Sequence, residues 1–107
     1  MIRRSALDRD PMHVISKKKL REFWERFPKA RISLEAWYQI AKRTDWQNFA
    51  ELRATFNSVD RVGRFIVFNI GGRKYRLIAA VHFNRGKLFI RHVLSHAEYD
   101  EEKWKDD

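Results

Sequence analysis

The chain has 107 residues, enough for one domain with a single hydrophobic core and too few for two independent ones. Apolar residues make up 44% of it and aromatic residues 14%, which excludes an intrinsically disordered chain. The absence of cysteine excludes disulfides and thiolate metal sites, and a formal net charge of +9 favours a polyanionic partner such as nucleic acid.

The N-terminal part of the chain changes character at Met12. Residues 1–11 are polar and lack apolar periodicity, so we expect them to be a flexible extension, with residues 12–107 forming the single domain. Met12 begins a short apolar segment that predicts a strand. Ser16 is expected to cap a helix whose apolar side chains recur at spacings of three and four, and Pro28 is expected to end it.

Two further helices are predicted before the middle of the chain. The second runs from about Ser33 to Lys42 or Arg43, and Asp45 is expected to cap the third. Apolar side chains recur at helical spacing along both. Because aromatic stripes of this kind usually pack against a sheet, we assign all three helices to one side of the core.

The hydrophobic period changes from helical to strand-like after a turn-like segment at residues 57–63. Paired glycines at 71 and 72 supply the positive φ that tight hairpin turns need. Three consecutive antiparallel strands are therefore predicted, at residues 64–70, 73–83 and 87–94.

The strand region carries an uncompensated positive charge. Between Asp60 and Glu98 there is no carboxylate, while the same stretch contains eight Lys or Arg residues and three histidines. Strand alternation places Lys74 and Arg76 on one face of the middle strand, and Phe89, Arg91 and Val93 on one face of the last. We expect Lys74, Arg76 and Arg91 to form one phosphate-binding cluster.

A short C-terminal helix is predicted after the last strand. Ser95 and Glu98 have the spacing of a capping box, which places the start of the helix at about His96. His96 and Tyr99 then lie on neighbouring positions of the first turn. A histidine beside arginines has its charged form disfavoured, so His96 is a candidate acid or base.

Metal, cofactor and membrane signals are weak or absent. His92 and His96 have ligand spacing only on a continuous helix, and Ser95 lies between them as a cap, so we predict no metal site. No nucleotide-binding loop or hydrolase motif occurs, and we predict no cofactor. No apolar run reaches the roughly 18 residues of a membrane span, so we expect a soluble, cytoplasmic protein.

The residues from Met12 onward resemble the HigB-type toxins of bacterial toxin–antitoxin systems, a branch of the RelE-like superfamily of mRNA interferases. The resemblance covers about nine-tenths of the chain. Its most specific element is the string formed by Arg91, Val93, His96, Tyr99 and Asp100. The segments that carry it are MHVISKKKLREFWERFP, FIVFNIGGRKYRLIAAVHF and FIRHVLSHAEYDEEKW.

This resemblance implies an α+β, RelE-like fold, in which a small antiparallel sheet has N-terminal helices on one face and a short C-terminal helix. It also implies cleavage of mRNA, commonly on the ribosome, and neutralisation by a HigA-type antitoxin with a helix-turn-helix domain. The family's chemistry is metal-independent attack of a ribose 2′-hydroxyl on the adjacent phosphate.

The resemblance also implies roles for individual side chains. Arg76 and Arg91 would clamp the scissile phosphate, and His96 and Tyr99 would form the acid/base or base-stacking pair. The second choices, for contact with phosphate or ribosomal RNA, are Arg73, Lys74 and His92.

Two other classes of protein fit part of the sequence. A non-catalytic RNA- or ribosome-binding module would use the same charge and aromatic side chains. A DNA-binding protein is a weaker alternative, because the positive residues concentrate in strands and no basic recognition helix is evident.

Overall fold

The computed structural model describes residues 12–106, so the expected flexible extension at residues 1–11 lies outside the described residues. Strand β1 and helices α1 to α3 come first, followed by the remaining four strands and α4. Their bounds are β1 His13–Ile15, α1 Lys18–Arg26, α2 Arg31–Arg43, α3 Phe49–Thr55, β2 Asp60–Val62, β3 Phe65–Ile70, β4 Tyr75–His82, β5 Lys87–Ser95 and α4 His96–Asp100. Within the described residues no helix is long and apolar enough to cross a membrane.

The five strands form one sheet in the order β1-β5-β4-β3-β2. Neighbouring strands from β2 to β5 are antiparallel, which confirms the predicted meander. At the other edge β1 runs parallel to β5, with His13 opposite Lys87 and Ile15 opposite Phe89. The predicted α+β fold is confirmed. The sheet is mixed and not purely antiparallel as predicted, because β1 pairs with β5 in parallel.

The main core lies between the helices and one face of the sheet, which we call the inner face. Leu20, Leu34 and Leu52 of α1, α2 and α3 are fully buried there. The ring of Phe68 on β3 lies 5.3 Å from Trp37 and 5.4 Å from Phe56, centroid to centroid. Burial of these apolar side chains is the main force that holds α1 to α3 on the inner face.

A second, smaller core lies on the opposite, outer face. Trp104 is only 3% exposed and packs against Phe65, Val67 and Ile78. The Trp104 indole N–H donates to the Tyr99 carbonyl at 3.1 Å, so this buried donor has a hydrogen-bond partner. The C-terminal segment therefore folds back over the sheet and covers part of the outer face.

Two predicted helix caps are wrong. Ser16 has a positive φ of 78° and caps nothing, and α1 begins after Lys17 without a side-chain cap. At α3 the cap is Asn48 and not Asp45, because Asn48 is the extended residue whose side chain accepts from the Glu51 N–H at 2.9 Å.

The predicted hairpin turn and the predicted end of the first helix are confirmed. Gly71 and Gly72 have φ of 59° and 69°, which confirms the tight turn between β3 and β4. Helix α1 ends at Arg26, with Phe27 as its C-cap immediately before Pro28, as predicted. The segment at residues 57–63 is more than a turn, since it contains β2.

A bulge changes the faces of β5. The register with β4 shifts between Ile78 and Ala79, which pair with His92 and Ile90, so Arg91 is the extra residue. Val93 therefore packs into the inner core, and Leu94 packs with the outer cluster. The predicted shared face of Phe89, Arg91 and Val93 is wrong, because an inserted residue inverts the alternation beyond it.

Candidate functional site

Among the described residues, Arg76 is the one charged residue that is buried, with only 8% of its surface exposed. Its Nη1 donates to the Arg73 carbonyl at 2.6 Å and to the Tyr75 carbonyl at 3.2 Å. Its guanidinium carbon lies 5.3 Å from the centre of the Tyr99 ring. These contacts fix the guanidinium in one orientation and leave Nε and Nη2 available to an anion.

A cavity of about 350 Å³ on the outer face surrounds this guanidinium. Arg53, Arg73, Arg76 and Tyr99 line it, with Asp60 as its one carboxylate. Three guanidiniums beside one carboxylate leave an excess of positive charge in a partly enclosed space, and such an environment strengthens contacts with phosphate. The cavity is suited to one phosphodiester of a nucleic-acid backbone.

Tyr99 is held from two directions. Its ring stacks on that of Trp104, with centroids 5.2 Å apart and an angle of 13° between the planes. Arg76 lies over the ring as well. Contacts of this kind leave the Tyr99 ring little freedom to change rotamer, so its hydroxyl is presented in a fixed position.

The predicted capping box is confirmed, and it makes His96 the first residue of α4. The Ser95 hydroxyl accepts from the Glu98 N–H at 3.2 Å, and the Ser95 N–H donates to the Glu98 carboxylate at 3.0 Å. The His96 N–H then donates to the Lys74 carbonyl at 3.0 Å, which ties the start of α4 to the loop before β4. The predicted helix therefore forms. Tyr99 lines the cavity of Arg76, whereas His96 is exposed at the start of α4 and is not among the residues that line that cavity.

The imidazole of His96 has a carboxylate partner that the sequence reading did not use. Its Nδ1 lies 2.9 Å from Asp100 Oδ2. A carboxylate bonded to Nδ1 keeps a proton on that nitrogen and leaves Nε2 as the acceptor in the neutral ring. The signal was present in the sequence as an i,i+4 pair on one helix face.

The structure does not bring Arg91 to the cavity of Arg76. It lines a separate outer-face cavity with Arg64 and His82, and another beside α1. Strand β1 pairs with β5 only from Lys87 to Phe89. Beyond that pairing, the Arg91 carbonyl accepts a hydrogen bond from Lys19 of α1 at 2.8 Å. The expected single cluster of Lys74, Arg76 and Arg91 is therefore not formed.

The remaining predicted residues divide in the same way. Arg73 lines the cavity of Arg76, whereas Lys74 contributes its carbonyl to α4 and is exposed. His92 lies beside Arg91 in the cavity next to α1. Arg53 was missed, because nothing in its helical spacing shows that α3 ends beside the outer face. Among residues 12–106 there is no group of three or more His, Cys, Asp or Glu that could hold a metal.

The carboxylate of Glu98 makes the capping box sensitive to pH. The Ser95 N–H holds the pKa of Glu98 below its ordinary value; burial opposes this shift, and Arg26, 3.3 Å away, adds to it. A carboxyl with a lower pKa in the folded state stabilises the fold above its unfolded pKa of about 4.3. That contribution is lost as the pH falls through the folded value.

We therefore expect Glu98→Gln to lower the free energy of unfolding at pH 7, by an amount that shrinks as the pH falls below the ordinary pKa of a glutamate and through the lowered folded value. Glutamine retains the capping hydrogen bonds, so the pH-dependent part reports the charge. Urea unfolding of both proteins across this range measures it, with the exposed Glu25→Gln as a control. A difference that does not change with pH would contradict the assignment.

Comparison with known proteins identifies the family of this chain. Residues 30–102 match the family HigB_toxin, described as the RelE-like toxic component of a toxin-antitoxin system. The chain is 33% identical over 92 residues to the mRNA interferase HigB of Escherichia coli O6:H1, covering 83% of this chain and 89% of that protein. It is 34% identical to the mRNA interferase toxin HigB of Escherichia coli K12, covering 83% and 88%.

These matches first define the class, a RelE-like toxic component of a toxin–antitoxin system. Within that class, the chain belongs to the HigB toxin family. The resemblance drawn from the sequence is thereby confirmed.

Proposed function

We propose that this protein is an endoribonuclease toxin that cleaves mRNA at the cavity of Arg76 and Tyr99. The observation that carries the proposal is a buried guanidinium, fixed by two backbone carbonyls and an aromatic ring, with N–H groups left for an anion. The names of the relatives, mRNA interferases, support the same substrate.

The reaction we propose is transesterification within the RNA. A base takes the proton of the ribose 2′-hydroxyl, the 2′-oxygen forms a bond to phosphorus, and the 5′-oxygen of the next nucleotide leaves with a proton from an acid. The products are a 2′,3′-cyclic phosphate and a 5′-hydroxyl. Arg76 stabilises the extra negative charge of the phosphorane, and Arg73 and Arg53 add to the positive field.

His96 and Tyr99 supply the proton transfers in this scheme. Asp100 orients the His96 ring so that Nε2 can accept the 2′-hydroxyl proton. Tyr99 supports the guanidinium with its ring and can donate from its hydroxyl to the leaving oxygen. No step in this scheme needs a metal ion or a cofactor.

In this proposal His96 acts from the edge of the cavity, and Arg91, Lys74 and His92, which also lie outside its lining, bind RNA on either side of the cleaved bond. Arg91 is assigned here to a flanking phosphate, together with Arg64 in the second outer-face cavity. Lys74 and His92 remain candidates for contact with mRNA or ribosomal RNA. Cleavage takes place on the ribosome in the cytoplasm, and a HigA-type helix-turn-helix antitoxin neutralises the protein.

The proposal is tested by brief induction of the gene in bacteria, followed by mapping of mRNA 5′ ends with and without a translation inhibitor. We expect growth arrest, new 5′-hydroxyl ends and rescue by the adjacent antitoxin gene. Ends that vanish when translation is blocked would place cleavage on the ribosome. If the purified protein also cleaves free RNA, that activity should persist in EDTA; the assay with programmed ribosomes keeps its Mg²⁺, which the ribosome itself requires.

Growth arrest without new RNA ends would favour the non-catalytic alternative, a module that binds RNA or the ribosome and blocks it. No growth arrest at all would remove both readings.

A further inference from the structure

A groove between α1 and α2 lies on the inner side of the molecule, away from the outer-face cavity of Arg76. Ile32 at its rim is 82% exposed, and Ile40 on the same helix is 41% exposed. Among the described residues these two are the exposed large hydrophobic side chains. A single exposed isoleucine is ordinary, but Ile32 adjoins a groove whose walls include Trp24 and Tyr38, so the two together offer continuous apolar surface to a partner.

The groove is apolar at its base and cationic at its rim. Trp24 and Tyr38 are half-buried in its walls. Arg31 lies 5.4 Å from the ring of Trp24, and Lys17 lies 4.4 Å from that of Tyr38. These contacts hold the cations at the edge of the groove, where they face any occupant.

The charges of the groove do not cancel. Arg31 is paired with Glu35 at 2.7 Å, the only carboxylate in the lining. Lys17 and Arg21 line the same groove and form no ion pair with a residue of the described range. An occupant that carries carboxylates is therefore favoured over a neutral or basic one.

We propose that this groove binds the antitoxin, through a segment that places an apolar side chain against Ile32 and Trp24 and carboxylates towards Lys17 and Arg21. The inference rests on membership of a toxin–antitoxin family, which implies such a partner. A polypeptide fits better than RNA, because burial of Ile32 stabilises a contact with an apolar side chain and gives nothing to a phosphate.

Toxicity and antitoxin recognition then reside on opposite faces of the sheet and can be separated by mutation. Nothing in the groove touches Arg76 or Tyr99, so a substitution there leaves the RNA site intact. A partner bound on this face would neutralise the toxin sterically, because its size prevents the toxin from reaching the mRNA or the ribosome.

The test is Ile32→Glu, with Ile40→Glu as the matched control on the same helix but outside the groove lining. Binding of purified toxin to the antitoxin encoded beside it is measured by calorimetry. We expect Ile32→Glu to weaken binding at least about tenfold, the minimum for a residue at the centre of an interface, and Ile40→Glu to have little effect.

The same variants are then expressed with and without the antitoxin. We expect Ile32→Glu to arrest growth as the wild type does but to escape rescue. The double variant Lys17→Glu/Arg21→Glu should also escape rescue, through charge repulsion alone. Because all three side chains are exposed, unchanged melting temperatures are expected.

Antitoxin binding by Ile32→Glu and by the double variant at wild-type strength would overturn the proposal. Retained antitoxin binding with lost RNA or ribosome binding would overturn it as well, and would assign the groove to nucleic acid. If the wild-type chain binds the antitoxin through this groove but neither arrests growth nor cleaves RNA, the proposed function fails while this inference stands.

Discussion

Replacing His96 with alanine is expected to slow RNA cleavage by roughly 10²- to 10⁴-fold, the usual loss when an acid or base is removed. The imidazole projects from the first turn of α4, oriented by Asp100, on the same helix as Tyr99. Single-turnover cleavage as a function of pH is the measurement. We expect the variant to lose one limb of the pH–rate profile, which a merely structural residue would not remove.

Three further variants sharpen this prediction. Asp100→Asn should cost less than His96→Ala, because it disturbs the orientation of the ring without removing it. Tyr99→Phe tests whether the phenol donates a proton while retaining the ring under Arg76. His13→Ala is the matched control, an exposed histidine on β1 that lines neither outer-face cavity. A loss of only severalfold for His96→Ala would make His96 a positioning residue.

Arg76→Ala is expected to reduce cleavage by roughly 10²- to 10³-fold, comparable to the removal of one preorganised donor to a developing oxyanion. The guanidinium is buried and already oriented, so little reorganisation is needed when charge develops on the phosphate. Arg76→Lys should recover only part of the rate, since lysine keeps the charge but loses the planar fork. The measurement is again single-turnover cleavage.

Arg76 also bonds two backbone carbonyls, so loss of activity must be distinguished from loss of fold. Melting temperature and binding to the antitoxin report whether each variant is folded. Arg85→Ala, an exposed arginine in the turn between β4 and β5, is the control for general charge. An Arg76→Ala protein that is folded and cleaves at the wild-type rate would exclude Arg76 from catalysis.

Local patterns predicted much of the fold. Alternating apolar residues gave the meander, the glycine pair gave its turn, and the Ser95–Glu98 spacing gave the start of α4. Each of these features depends on residues that are near neighbours in the chain, which is why the sequence alone can reveal them.

Features that depend on distant contacts were not predictable in this way. The bulge at Arg91 arises from the pairing of β4 with β5, and no residue type in either strand predicts it. Trp104 covers the outer face because Phe65, Val67 and Ile78 expose an apolar surface there once the sheet has formed. Arg53 reaches the cavity only through the packing of α3.

The most direct test of the site is a structure of the protein bound to an mRNA whose 2′-hydroxyl at the cleavage position is methylated, on the ribosome if cleavage requires it. We expect the phosphate beside that ribose to accept hydrogen bonds from the Arg76 guanidinium, next to the Tyr99 ring. A complex with that phosphate beyond the reach of Arg76, in the α1–α2 groove or elsewhere, would contradict the assignment of this cavity as the cleavage site.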